Sequence, residues 1–103
     1  MSEKALRHNT GKLKWGLVDF KSLEPMVEVL EFGAKKYAPF NWQKGLDTTE
    51  IVESLLRHCF DYLSGKRIDE ESGKPVIGHI QANAMFLAYN ERMMEKNETT
   101  SKD

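Results

Sequence analysis

The sequence predicts an all-α protein, a compact bundle of about three main helices with an irregular N-terminal arm. Apolar residues recur at helical spacing in three separate stretches. Residues that start and stop helices bracket those stretches. No segment alternates at period two for long enough to demand a sheet.

The first helix is expected over 22–35, with Ser22 as N-cap and Pro25 in the tolerated first turn. Leu23, Met26, Val27, Leu30 and Ala34 would face the core. Residues 36–47, KYAPFNWQKGLD, read as a loop marked by Pro39 and Gly45 and rich in aromatics. Asp47, with Glu50 three residues later, makes a capping-box-like start for the second helix. Val52, Leu55, Leu56, Cys59, Tyr62 and Leu63 would form its apolar face, and Gly65 would stop it. Residues 66–75 read as an acidic loop. The third helix is expected over 76–96, burying Ile77, Ile80, Ala84, Leu87 and Ala88. Domain organisation follows: a flexible 1–10, one helical domain over 11–96, and a disordered polar tail over 97–103. Within that domain, residues 12–20 carry Trp15, Leu17, Val18 and Phe20, enough apolar surface to dock as an extended arm.

Composition narrows the function. A chain of 103 residues holds one domain and buries only a modest share of its surface, so association into a homo-oligomer is expected. The net charge of -1 sets up no field toward a nucleic-acid backbone, and no direct nucleic-acid binding is expected. Cys59 is the single cysteine, which rules out an internal disulfide or a thiolate metal cluster. With no secretory signal and no membrane-length apolar run, a cytoplasmic location without membrane contact is expected.

Two helices carry chemistry on polar stripes. In the second, Glu50, Ser54, Arg57, His58 and Asp61 fall on one side, so Arg57, His58 and Asp61 are neighbours in space. In the third, His79, Asn83, Phe86 and Asn90 recur at i, i+4, i+7 and i+11. Helices with such faces can enclose a site between them. The acidic run Asp69-Glu70-Glu71 lies between the two in sequence. A His–Asp pair alone reads equally as a surface ion pair. The carboxylates suit a hard divalent cation, Mg²⁺ first, while the histidines also permit Mn²⁺ or Zn²⁺. In the loop, Lys36 offers charge to a phosphate, Tyr37 and Trp42 offer flat faces, and Asn41 can read a base edge. The same rings can instead pin the loop to the core.

An ordered set of short motifs resembles the phage dATP/dGTP diphosphohydrolase family. It comprises Gly11-Lys12-x-x-Trp15-x-Leu17, Leu23-Glu24, Phe32-Gly33-Ala34-x-Lys36-Tyr37 and Asn41-Trp42, then Arg57-His58, Gly65, Asp69, Glu71-Ser72-Gly73, His79 and Ala82-Asn83. The resemblance implies kinship with MazG-like all-α pyrophosphatases, which usually form dimers or tetramers and cut a nucleoside triphosphate to its monophosphate and pyrophosphate with divalent metal. It implies purine dNTPs as substrates. MazG-like enzymes hold metal with an E-x-x-E element and a later E-x-x-D. Glu28-x-x-Glu31 and Glu50-x-x-Glu53 match the first by letter, whereas His79-x-x-x-Asn83 stands where the second is expected. Under this reading Glu53, Asp61 and Asp69 are metal ligands and His58 is a ligand or water-positioning base. His58, Asp61 and Asp69 form the catalytic set. Lys12, Lys36, Arg57, His79 and Asn83 join Tyr37, Asn41 and Trp42 in holding the nucleotide. The rival reading is a non-catalytic nucleotide-sequestering protein on the same scaffold, with Lys66 repelling a metal.

Overall fold

The structure, a computed structural model, describes residues 3–101, with side chains up to Lys96. The expectations for 1–2 and 102–103 lie outside the described residues. Three helices make the body: α1 (Glu24–Lys36), α2 (Thr48–Leu63) and α3 (Val76–Ser101). Among the described residues there is no strand, only an isolated antiparallel bridge between Ile68 and Pro75. The all-α expectation holds. No helix is long and apolar enough to cross a membrane.

α3 is the central element, and α1 and α2 each pack on it rather than on one another. This makes α3 two-sided. One flank carries Gly78 and buried Ala82, and the other buries Asn83 and half-buries His79 and Phe86. The expected core stripe is therefore displaced, with Ala84 and Ala88 exposed and Ile77 partly so. α1 meets α3 where Gly78 faces the backbone of Pro25. A Cβ built on Gly78 would lie 2.2 Å from the Pro25 carbonyl oxygen and 2.9 Å from Val29. That crossing turns α1 so that Val29 is buried, while Val27, expected inside, is 45% exposed.

Helix ends follow local chemistry. Asp47 caps α2 as expected, its carboxylate accepting from the Glu50 backbone N–H at 3.1 Å. Ser22 does not cap α1. Its hydroxyl bonds Asp19, and a 3-10 turn over Phe20–Leu23 feeds straight into the helix, leaving Leu23 at the N-cap position. Backbone helix continues beyond residue 96 to Ser101, because adding a residue to an existing helix costs far less than starting one.

Apolar surface is left over. Leu13, Trp15 and Leu17 are 80%, 66% and 85% exposed, so the arm does not dock as expected on its own helices. α2 also departs from expectation. Ile51, Ser54, Leu55 and His58 turn inward, while Leu56, Phe60 and Leu63 point outward. The radius of gyration, 18.0 Å, exceeds the roughly 13 Å of a compact chain of about 100 residues.

Candidate functional site

The splay of α1 and α2 on adjoining flanks of α3 leaves a cleft of about 1060 Å³. Small-molecule sites typically occupy roughly 300–1,000 Å³. α1 contributes Val27, Leu30, Glu31 and Lys36, and the following loop Tyr37, Phe40, Asn41 and Trp42. α2 contributes Ser54, Leu56, Arg57, His58, Phe60 and Asp61. The segment between α2 and α3 adds Asp69, Glu71 and Ser72, and α3 adds His79, Asn83 and Phe86. The walls are apolar toward α1 and polar where α2 meets the α2–α3 segment.

At the polar end, His58 and His79 stack with ring centroids 4.4 Å apart and planes 11° from parallel. Asp69 sits beside both, 3.9 Å from His58 Nδ1 and 3.7 Å from His79 Nε2, too far for hydrogen bonds. The segment presenting Asp69 is tightly built rather than loose. Asp69 N–H donates to the Lys74 carbonyl and Gly73 N–H to the Asp69 carbonyl, both at 2.8 Å. The Asp69 carboxylate accepts from the Ser72 N–H, three residues on, at 2.9 Å. Partial burial resists ionisation of Asp69. The Ser72 backbone N–H, with the neighbouring histidines, outweighs it and lowers the carboxyl below its ordinary range.

His79 is pushed the other way. Burial and the adjacent His58 ring disfavour its cation more than Asp69 and Glu71 favour it, so its pKa falls below 6.5. The Ser72 hydroxyl lies 2.7 Å from His79 Nε2 and accepts the Lys74 N–H at 3.1 Å. We assign the hydroxyl proton to Nε2, which leaves the neutral ring's own proton on Nδ1. Asn83 braces the two helices: its amide donates to Ser54 Oγ at 3.2 Å and to the His79 carbonyl at 2.9 Å.

The donor set was tested for a divalent cation. His58, Asp61 and Asp69 can each offer one ligand atom, all within 4.8 Å of one another. His58 Nδ1 is buried without a hydrogen-bond partner, an orphaned lone pair or N–H of the kind a ligand satisfies. One imidazole and two carboxylates suit Mg²⁺ or Mn²⁺. The residues fit.

Other expected residues distribute unevenly. Arg57, Tyr37 and Asn41 line the cleft. Lys36 reaches across its mouth to Glu71, 3.4 Å away, with Tyr37 beneath its ammonium. Trp42 lines the cleft but is pinned to α3, tilted on Phe86 at 5.2 Å and edge-on to Tyr89 at 4.9 Å. Glu53 is exposed and Lys12 lies on the exposed arm, and neither is brought to the cleft. Lys66 also stays outside it, pairing with Glu70 at 3.5 Å. Sequence reasoning gave no separate role to Ser54 or Ser72. Ser72 was findable, because its N–H lies three residues after an aspartate, the spacing by which Asp47 caps α2. Phe40, with φ of 60°, was not, since bulky residues rarely adopt the left-handed region.

The family described as dATP/dGTP diphosphohydrolase, N-terminal, matches residues 2–101. This chain belongs to that family. It is similar to a dATP/dGTP diphosphohydrolase of Salmonella phage PMBT28, 28% identical over 98 residues, covering 95% of this chain and 32% of the relative. The chain thus spans about a third of the length of the curated relative it matches. No solved structure matches it. Part of the set carrying the family resemblance converges in the structure, for Arg57-His58, Asp69, Ser72, His79 and Asn83 all line one cleft, whereas Gly11, Lys12, Trp15 and Leu17 of the arm do not.

Proposed function

We propose that the cleft binds a purine deoxynucleoside triphosphate, dATP or dGTP, and hydrolyses it to the monophosphate and pyrophosphate. Supporting this are membership of the diphosphohydrolase family, the name of the phage relative, and the polar end of the cleft. The single observation that carries it is the convergence of His58, Asp61 and Asp69 in a cleft large enough for a nucleotide.

Mg²⁺ or Mn²⁺ held by these three residues would supply neutralisation of phosphate charge and a more acidic attacking water. The chain's own groups do the rest. Asp69 is anionic across the physiological range, because the hydrogen bond from the Ser72 backbone N–H favours its charged form. Ser72 fixes the tautomer of His79, and the stacked His79 ring fixes the plane of His58, the kind of outer support that keeps a ligand ring aimed. Arg57 can grip phosphate oxygens in a bidentate fork. Lys36, already at the mouth, exchanges Glu71 for phosphate charge as the substrate enters. Tyr37, Asn41 and Phe40 frame the nucleoside at the apolar end. In the reaction a water oxygen attacks the α-phosphorus as its bond to the bridging oxygen breaks. Pyrophosphate leaves with that oxygen and the water's protons pass to solvent.

The test is incubation of the protein with a nucleotide panel, with and without Mg²⁺ or Mn²⁺, and separation of products by chromatography. Metal-dependent release of pyrophosphate from dATP or dGTP supports the proposal. Nucleotide that is retained but intact assigns the cleft to binding alone, and a protein that shows no retention and no turnover refutes the site. Lys66, the one residue that favoured a purely binding role, does not line the cleft.

A further inference from the structure

We infer that Ser54 and Asn83 together read the 3′-hydroxyl of the deoxyribose, so that the cleft selects free nucleotides with an unsubstituted 3′ end. The inference rests on the nucleotide reading of the cleft and adds to it the atoms that hold the sugar.

The first observation is what these two side chains have left to offer. Asn83 is only 8% exposed, yet it lines the cleft. Both hydrogens of its amide are committed, one to Ser54 Oγ at 3.2 Å and one to the His79 carbonyl at 2.9 Å. An amide has two donor hydrogens and one carbonyl oxygen, so Asn83 can present a ligand only with the Oδ1 acceptor. Its two bonds run to different helices and hold the amide plane in place. Ser54, which also lines the cleft, is the acceptor toward Asn83, and this leaves its hydroxyl hydrogen to be donated. A donor and an acceptor thus stand side by side. A sugar hydroxyl satisfies both at once, donating to Asn83 and accepting from Ser54. A phosphate oxygen can only accept, and a base amine can only donate.

The second observation is where the pair stands. His58 follows Ser54 by one helical turn on α2, and His79 precedes Asn83 by one turn on α3. The two contacts, Ser54 with Asn83 and His58 with His79, therefore make the helices antiparallel here. Four residues of helix rise about 6 Å, which is the offset of the pair from the stacked imidazoles. Beyond it along α3 comes Phe86, with Trp42 packed on it. The cleft thus presents Asp61 and Asp69, then the histidines, then Ser54 and Asn83, then the aromatic rings. Phosphate, sugar and base follow one another in the same order in a nucleotide. From the α-phosphorus to the 3′-oxygen run five bonds of about 1.5 Å, an extended reach of about 6 Å. An α-phosphate beside the histidines puts the 3′-hydroxyl at the pair. The edge of a guanine offers a similar donor–acceptor pattern, but it lies well beyond the sugar.

A site that hydrogen-bonds a substrate hydroxyl rejects the analogue lacking it, because its own polar groups are left unpaired. The experiment compares dATP and dGTP with their 2′,3′-dideoxy counterparts in the presence of Mg²⁺. The readout is affinity and, where pyrophosphate is released, kcat/KM. The dideoxynucleotides should be weaker by about ten- to a hundredfold on the wild-type protein. Ser54→Ala should keep its helical circular dichroism and narrow that gap to about threefold or less, by weakening the deoxynucleotides. Equal handling of deoxy- and dideoxynucleotides by the wild type overturns the inference and leaves the nucleotide reading standing. A gap that survives intact in Ser54→Ala also overturns it, since the hydroxyl is then read elsewhere. If no deoxynucleotide is retained or turned over, the nucleotide reading itself fails and this inference falls with it.

Discussion

Gly78→Ala should destabilise the protein although it places a better helix former inside a helix. The added Cβ would meet the Pro25 carbonyl oxygen at 2.2 Å and its carbon at 2.6 Å. Both atoms are backbone, so no rotamer change relieves them. Widening the contact from 2.2 Å to the 3.4 Å of ordinary packing moves α1 by about 1.2 Å from α3 and loosens buried Val29. Overpacking costs about 1–3 kcal/mol, and a backbone clash belongs at the top of that range. Replacing a helical glycine by alanine returns about 1 kcal/mol. The net loss is about 2 kcal/mol, a fall in Tm on the order of 10 °C for a chain of this size. Gly33→Ala is the matched control: it is helical, with nothing within 4 Å of its added Cβ, and should gain about 0.5–1 kcal/mol. Thermal and urea unfolding followed by circular dichroism would measure both. A Gly78→Ala protein as stable as wild type would show that α1 does not cross α3 at this point.

Trp42→Ala should lower Tm as well as nucleotide affinity, because the ring packs on Phe86 and Tyr89. Loss of a partly buried aromatic costs about 1–3 kcal/mol. Asn41→Ala should lower affinity alone, and equal effects of the two in unfolding and binding titrations would contradict this division. Stability should fall with acid in two windows. Both His79 and Asp69 have lowered pKa values in the folded state, so the unfolded chain takes up their protons first. The His79 contribution is present above pH 6.5 and is lost as pH falls from there through its lower folded value, and that of Asp69 is lost below pH 3.8. Tm measured across this range should decline, His79→Gln should remove the upper step, and a flat profile would refute the assigned environments.

Helical periodicity and the Asp47 cap made the three helices readable, because both are local. The inward faces were less readable. On α2 the leucines occupy two stripes, and only tertiary packing decides that Leu55 turns in while Leu56 turns out. The same holds for α1, where the close approach at Gly78 rotates Val29 inward in place of Val27. Site residues on the polar stripes, His58, Asp61, His79 and Asn83, were legible because helical spacing brings them to one side and both stripes face the cleft. Glu53 and Lys12 were not, since a letter match carries no direction. Glu53 lies on the outer side of α2, and the arm bearing Lys12 is exposed along its length.

The account turns on His58, Asp61 and Asp69 acting together on a nucleotide-bound cation. Electron spin-echo spectroscopy of Mn²⁺ added with dGTP addresses that directly, because a coordinated imidazole imprints nitrogen modulation on the manganese signal. The wild-type protein should bind Mn²⁺ with nitrogen modulation. His58→Ala should lose that modulation while keeping its helical circular dichroism, and Asp69→Asn should bind Mn²⁺ more weakly. Manganese that binds with nucleotide but shows the same signal in wild type and in His58→Ala would contradict the site.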